Sequence, residues 1–201
     1  MARRRFRRGL GNACLSADPG VSADVGHSGR AAEGRLLTRL REARHGEADQ
    51  LAAWRADVLS PYDDWSGPPP PGVAAGPPIL PAGGTDLLVT DGEDVPIGTV
   101  SWRPVQYGPN LGSQAMEIGI SLRPLARGQG HGGRAQEMLA RLLFATTTVH
   151  RVQASTDTTN VAEQRSLERA GFRREGVLRE AQWRLGQWHD LVSYSRLRVD
   201  G

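Results

Sequence analysis

Arg127-Gly128-Gln129-Gly130-His131-Gly132-Gly133 is the stretch on which the reading of this chain turns. It sets four glycines and an arginine between a strand-like run and a helix-like run. Glycine lets the backbone take positive φ and lets a ligand approach the main chain. The first N–H groups of the helix that follows have no intrahelical acceptors, so such a helix start attracts anions. A phosphate group is the ligand this arrangement predicts. By spacing alone, Gly128-x-Gly130-x-x-Gly133 also meets the dinucleotide fingerprint, with Asp157 ending a strand where a ribose-binding acid is expected. The neighbouring segments decide between these readings.

Upstream, three strand candidates follow in quick succession: 86–90, 97–102 and 116–122. Asp91-Gly92-Glu93-Asp94 makes the first turn, and Gly108-Pro109-Asn110 breaks the second connection. The third strand alternates, with Met116, Ile118, Ile120 and Leu122 on one face and Glu117, Gly119 and Ser121 on the other. Downstream, Ala135, Met138, Leu139, Leu142 and Leu143 form a helical stripe. A strand over 151–156 follows, then a helix capped by Asn160 with Glu163 three residues on, as in a capping box. That helix stops at Gly171, and 173–197 reads as two strands broken at Leu185-Gly186-Gln187.

Further toward the N-terminus, a weakly alternating run over 35–41 predicts a first strand. Ala48, Leu51, Ala52, Trp54 and Val58 predict an amphipathic helix over 46–58. Residues 60–84 carry Pro61, Pro68 to Pro71, Pro77, Pro78 and Pro81, a density that excludes a regular helix or central strand. This is a long loop, read either as a lid over a pocket or as a solvated insertion. Residues 1–33 show no period and are assigned as a disordered tail, leaving 34–201 as a single domain. The fold class is α/β (α+β), with a mixed, mostly antiparallel sheet of about seven strands flanked by helices. A dinucleotide domain would place its glycines directly after the first strand of repeated strand-helix-strand units. Here an antiparallel meander comes first, which argues against it.

The bulk properties exclude several classes. The 25 basic residues are all arginine, and the net charge is +3. The single Cys14 allows neither a disulfide framework nor a cysteine metal site, and no histidines stand at metal-ligand spacing, so no metal is predicted. No run approaches the ~18 apolar residues of a membrane span, and the basic start lacks the apolar core of a secretion signal. A soluble protein in a reducing, cytoplasmic setting is expected. Five of the first eight residues are arginine, which suits a solvated tail or an arm drawn to RNA.

Arg127-Gly128-Gln129-Gly130-His131-Gly132 resembles the signature of the GNAT acyltransferase superfamily: Arg or Gln, two residues, Gly, one residue, then Gly or Ala. The element order is similar to that superfamily over roughly 34–198. The segment Arg151-Val152 through Thr156-Asp157, with Asn160, Ala170-Gly171-Phe172, Glu175-Gly176, Arg179 and Trp188-His189-Asp190, resembles its RimJ/RimL branch of ribosomal-protein N-acetyltransferases. The resemblance implies an acetyl-CoA co-substrate and an amine acceptor: a protein N-terminus, an aminoglycoside-like antibiotic or another small amine. It implies that the N–H groups of Gly128, Gln129, Gly130, His131, Gly132 and Gly133 hold the pyrophosphate, with Arg127 adding charge. The pantetheine arm would run along 116–122, its carbonyl oxygen meeting a main-chain N–H near Ile120 to Leu122, while Asn160 bonds the arm from the other side. A homodimer is also open.

Glu117 lies on the face assigned to the cleft and is the candidate base for the amine proton, directly or through water. The plainer reading is a half-exposed strand glutamate in a cross-strand pair. One departure from the branch pattern is Glu163, where a serine often stands that is thought to assist the leaving thiolate. A carboxylate there would repel a thiolate unless protonated, and the favoured reading is that Glu163 serves only the helix cap. His131 as a phosphate contact is secondary, and His189 beside Asp190 receives no role. The five tryptophans read as packing, with Trp65 and Trp102 able to border an acceptor site. Two rival functions share the fold: acyl transfer from an aminoacyl-tRNA, with the arginine tail engaging RNA, and a non-catalytic CoA-binding module.

Overall fold

The computed structural model describes residues 37–56, 60–73 and 85–201. The basic tail, residues 35–36 of the first strand, Val58 and the remainder of the proline loop lie outside the described residues. Among the described residues, seven strands and three α-helices follow the predicted order: β1 Arg39–Arg41, α1 Ala48–Ala56, β2 Thr85–Thr90, β3 Pro96–Gln106, β4 Gln114–Leu122, α2 His131–Thr146, β5 Arg151–Asp157, α3 Val161–Arg169, β6 Arg173–Arg184 and β7 Gln187–Leu197. They form one mixed sheet of order β1-β2-β3-β4-β5-β7-β6. All neighbours are antiparallel except β4 and β5.

Cross-strand register assigns the two faces of the sheet, because paired residues share a face. Trp102, Ile118 and the β5–β7 residues Val152, Ala154, Val192 and Tyr194 lie on one face. There they pack with Leu139, Leu143 and Phe144 of α2 and Leu167 of α3 in the apolar core. Leu139 and Leu167 are fully buried, and each such side chain contributes about 1.5–3 kcal/mol. The stripe of α2 is rotated from the predicted one: Met138 and Leu142 are exposed, and Gln136, Ala140 and Phe144 are buried in their place. Residues four apart stack on one helix face, so 136, 140 and 144 extend the 135, 139, 143 row. Trp102 packs against the core, on the face opposite Glu117, and so does not border a cleft on that side.

The hairpin turns at Leu185 (φ 51°) and Gly186 (φ 75°), two consecutive positive φ values that match the twist of the strands. Before the turn, β6 bulges at Glu180 (φ 48°), whose N–H donates to Asp190 Oδ1 at 2.7 Å. The described part of the proline loop docks on this hairpin: Trp183 Nε1 donates to the Pro68 carbonyl at 2.8 Å. Tyr62 stacks under Arg184 at 5.6 Å. Trp65 is exposed.

Candidate active site

Behind the glycine loop, β4 ends at Leu122 and a single 3-10 turn, Pro124–Ala126, leads in. Gly128 (φ 74°) and Gly130 (φ 90°) adopt left-handed backbone, which costs a residue with a side chain about 1–2 kcal/mol. A Cβ on either would meet open space, so backbone conformation alone selects glycine there. Gly132 and Gly133 answer a different need. A Cβ on Gly132 would lie 3.0 Å from Ser166 Oγ, and one on Gly133 3.2 Å from the Ser166 carbonyl oxygen. These two glycines let α2 pack closely against α3, a role that ligand approach alone does not describe.

Gly130 caps α2 without a side chain, and the first bond across the cap runs from Arg134 N to Gly130 O at 3.4 Å. The N–H groups of residues 131–133 therefore lie at the open, positive end of the helix dipole. The side chains of the loop are turned elsewhere. Arg127 Nε donates to Leu122 O (2.9 Å) and Gln129 Nε2 to Leu125 O (2.7 Å). His131 is 3% exposed, with Nδ1 2.9 Å from Thr38 Oγ1, and burial holds its pKa below the ordinary imidazole value. The interior takes the imidazole, and only the main chain stays with the loop.

Next to the loop, β4 and β5 share two rungs, Met116↔Val152 and Glu117↔Gln153, and then part. Arg123 N donates to Ile97 O at 2.9 Å. Antiparallel alternation then gives β3 the main-chain groups of residues 117, 119 and 121, and turns those of Ile120 and Leu122 toward the gap that β5 leaves. Asn160 stands just past the end of β5, where its Oδ1 accepts from Glu163 N at 3.3 Å. With that oxygen in the cap, Asn160 Nδ2 is the side-chain donor left outside it.

Glu163 behaves otherwise than predicted. Its main-chain N–H completes the cap, but its carboxylate accepts from Gln136 Nε2 instead of returning to Asn160. Ser166 Oγ donates to Gln136 Oε1 at 2.9 Å, which closes a polar cluster between α2 and α3. Burial, with the charge of Asp63 adding to it and the Gln136 hydrogen bond opposing it, pushes the Glu163 carboxyl up to about 7. Near neutrality a large share is uncharged, so standing repulsion of a thiolate no longer follows.

The face opposite the core carries a groove of about 550 Å³ whose floor includes Glu117, Gln153, Ser155 and Ser193. Glu117 is ion-paired with Arg103, its register partner on β3, which is the cross-strand pairing named as its plainer role. Arg151 forms two bonds to Glu175, at 2.7 and 2.5 Å, and a third from Nε to Gln153 Oε1 at 3.0 Å. Tyr107 OH donates to the same Gln153 oxygen at 2.6 Å. Sequence reading missed Arg103, Tyr107, Arg151 and Gln153 as one unit. The signal was strand register, which only places Arg103 beside Glu117 and Glu117 beside Gln153 once the pairing is known.

Beyond the groove, Asp157 is buried against Arg184 (2.5 Å) and His189 Nδ1 (3.0 Å) and accepts from Thr159 N (2.8 Å) and Oγ1 (2.7 Å). Burial works to raise its carboxyl, but the Thr159 hydrogen bonds and Arg184 prevail and hold it at about 2. Every strong acceptor direction is occupied within the protein, so Asp157 is a structural anchor and not a ribose ligand. His189 belongs to this cluster: Nε2 donates to the Arg184 carbonyl and Nδ1 accepts from Arg184 Nη2, each at 3.1 Å.

Comparison with known proteins follows the same lines. The family model of the acetyltransferase (GNAT) domain matches residues 38–173. A Bacillus subtilis protein named "Probable N-acetyltransferase YjcK" is 31% identical over 113 residues, 56% of this chain and 61% of that protein. The ribosomal-protein-S5-alanine acetyltransferase of Vibrio fischeri superposes with a TM-score of 0.50 at 27% identity, over 56% of this chain and 60% of its own. A spermidine N-acetyltransferase chimera from Vibrio cholerae and hSSAT gives 0.61 at 17% identity, over 81% of this chain and 96% of its own. The chain therefore spans about three fifths of the first two relatives.

Proposed function

The chain belongs to the acetyltransferase (GNAT) family, and from that premise we propose that it transfers an acetyl group from acetyl-CoA to a primary amine of a protein N-terminus or a small molecule. The observation that carries this reading is the parting of β4 from β5 directly beside the open start of α2. An anion at residues 128–133 and an extended arm along the β4 edge would then lie on one line. In this reading the loop N–H groups hold the pyrophosphate, with Arg127 at the mouth of the gap. Ile120 and Leu122 offer N–H groups to the developing oxyanion of the thioester carbon, and Asn160 Nδ2 meets the arm from the other side.

The acceptor enters from the groove face. Glu117 takes the proton of the attacking ammonium, directly or through a water, as Arg103 swings aside. The amine nitrogen then bonds to the thioester carbon, a tetrahedral intermediate forms, and the C–S bond breaks as a second nitrogen proton passes through water to the leaving sulfur, releasing CoA as the thiol. Two measurements test this. Acetyl-CoA and CoA should raise the melting temperature where NAD and charged tRNA do not, by the equivalent of about 2.7 kcal/mol at a hundredfold excess over Kd. Absence of a shift with either CoA species overturns the donor assignment. Glu117→Gln should lower turnover by about 10²–10⁴ and flatten its pH dependence; full activity with an unchanged profile removes Glu117 as base.

A further inference from the structure

We propose that the groove on the Glu117 face selects acceptors with a single ammonium beside an uncharged, partly apolar chain, and discriminates against polyamines. The proposal rests on the acetyl-transfer reading above and concerns the acceptor alone. Two carboxylates reach the groove, and each is already matched by an arginine: Glu117 by Arg103 and Glu175 by Arg151. The second pair is locked. Arg151 grips both oxygens of Glu175, while Ser195 Oγ donates to the same carboxylate at 2.7 Å. Arg151 is also held by Gln153 and lies 5.8 Å from the Tyr107 ring. The Arg151 hydrogen bond, foremost, holds the Glu175 carboxyl at about 2, so the pair stays charged and closed on itself.

The first pair is loose by comparison, since the Arg103 side chain is 46% exposed at the rim. One incoming ammonium can take the place of the Arg103 guanidinium on Glu117 and leave the charge of the groove unchanged. A polyamine brings further ammonium groups that would lose water and find no unmatched carboxylate, which is costly. What the groove offers instead is apolar surface: Tyr107, Val177 and Leu178 line it and stand exposed. The chemistry recognised is a monocationic amine with an apolar flank, whether the start of a peptide or a free small amine.

The experiment compares kcat/KM for an alanyl-leucyl tripeptide amide, benzylamine and spermidine at saturating acetyl-CoA. Spermidine should be the poorest by about tenfold or more, and the peptide and benzylamine arms tell the two sources apart. Arg151→Gln unmasks Glu175 and should narrow the spermidine deficit by about fivefold, the effect of one partly screened ion pair. Glu175→Gln, which leaves the Arg151 charge unopposed in the groove, should widen the deficit and serves if Arg151→Gln fails to fold. A preference for spermidine in the unaltered protein, or a ratio untouched by both substitutions, overturns the proposal. If turnover is absent, acceptor dissociation constants on the CoA-bound protein read the same ratio. Failure of acetyl-CoA to stabilise the protein at all would instead sink the acetyl-transfer reading.

Discussion

The glycine loop and the tip of the β6–β7 hairpin both gather polar groups at an end of the sheet, and they use them in opposite ways. In the loop the donors are main-chain N–H groups that α2 cannot satisfy, while His131 and Gln129 point their side chains at Thr38 and Leu125. At the hairpin the polar groups are side chains that meet one another: Asp157, Arg184, His189 and Thr159. A cluster whose acceptors are filled and whose one unbonded donor, Arg184 Nε, is buried has nothing to offer a substrate, however reactive its residues look in sequence. Open main-chain donors do, although no side chain announces them. The difference separates an anchor from a set of donors still open.

Arg184→Ala gives the largest effect expected from that contrast. It would strand the buried Asp157 carboxylate and cost about 3–5 kcal/mol of stability in urea unfolding, with acetyl-CoA affinity of the folded protein little changed. The Asp157 carboxyl is lowered from 3.8 to about 2, so its contribution is present above pH 3.8 and lost as pH falls toward 2. Loss of acetyl-CoA binding without loss of stability would break the contrast, because the hairpin would then belong to the site.

Gly132→Val probes the other side. The added side chain meets Ser166 and should cost about 1–3 kcal/mol by forcing α2 from α3, with weaker acetyl-CoA binding as the helix start shifts. A variant equally stable and equally tight in calorimetry would show that close helix packing is not what positions the loop.

The effect of Glu163→Gln vanishes at low pH and shows itself only as pH rises. Because the Glu163 carboxyl is raised from 4.5 to about 7, the folded state binds the extra proton and loses stability as pH rises between those values. The glutamine variant should match the native chain below pH 4.5 and exceed it by about 3 kcal/mol above pH 7. Parallel pH curves would mean that the carboxylate stays ionised against Gln136.

Much of the fold was legible because it rests on local pattern. The alternation of 116–122, the cap at Asn160 and the turn at 185–187 each follow from a few neighbouring residues, and all three occur where expected. The errors fell where a side chain had a choice of distant partners. Glu163 is close in sequence to the N–H it was expected to cap, yet Gln136, 27 positions away, takes its carboxylate. Asp157, whose ribose-ligand reading the antiparallel meander already argued against, likewise takes a distant partner, Arg184 of the hairpin.

The sequence by itself determined the order of elements, the glycine turn that opens α2 and the family resemblance, since periodicity, caps and glycine conformations are short-range properties of the chain. Tertiary structure alone decided that His131 turns inward, that Arg103 covers Glu117, and that Arg151, Gln153, Tyr107 and Glu175 close one network over the groove. Those outcomes depend on strand register and on which charges meet after folding. In low-dielectric or half-buried surroundings the partner, more than the residue type, sets whether a polar group stays available for chemistry.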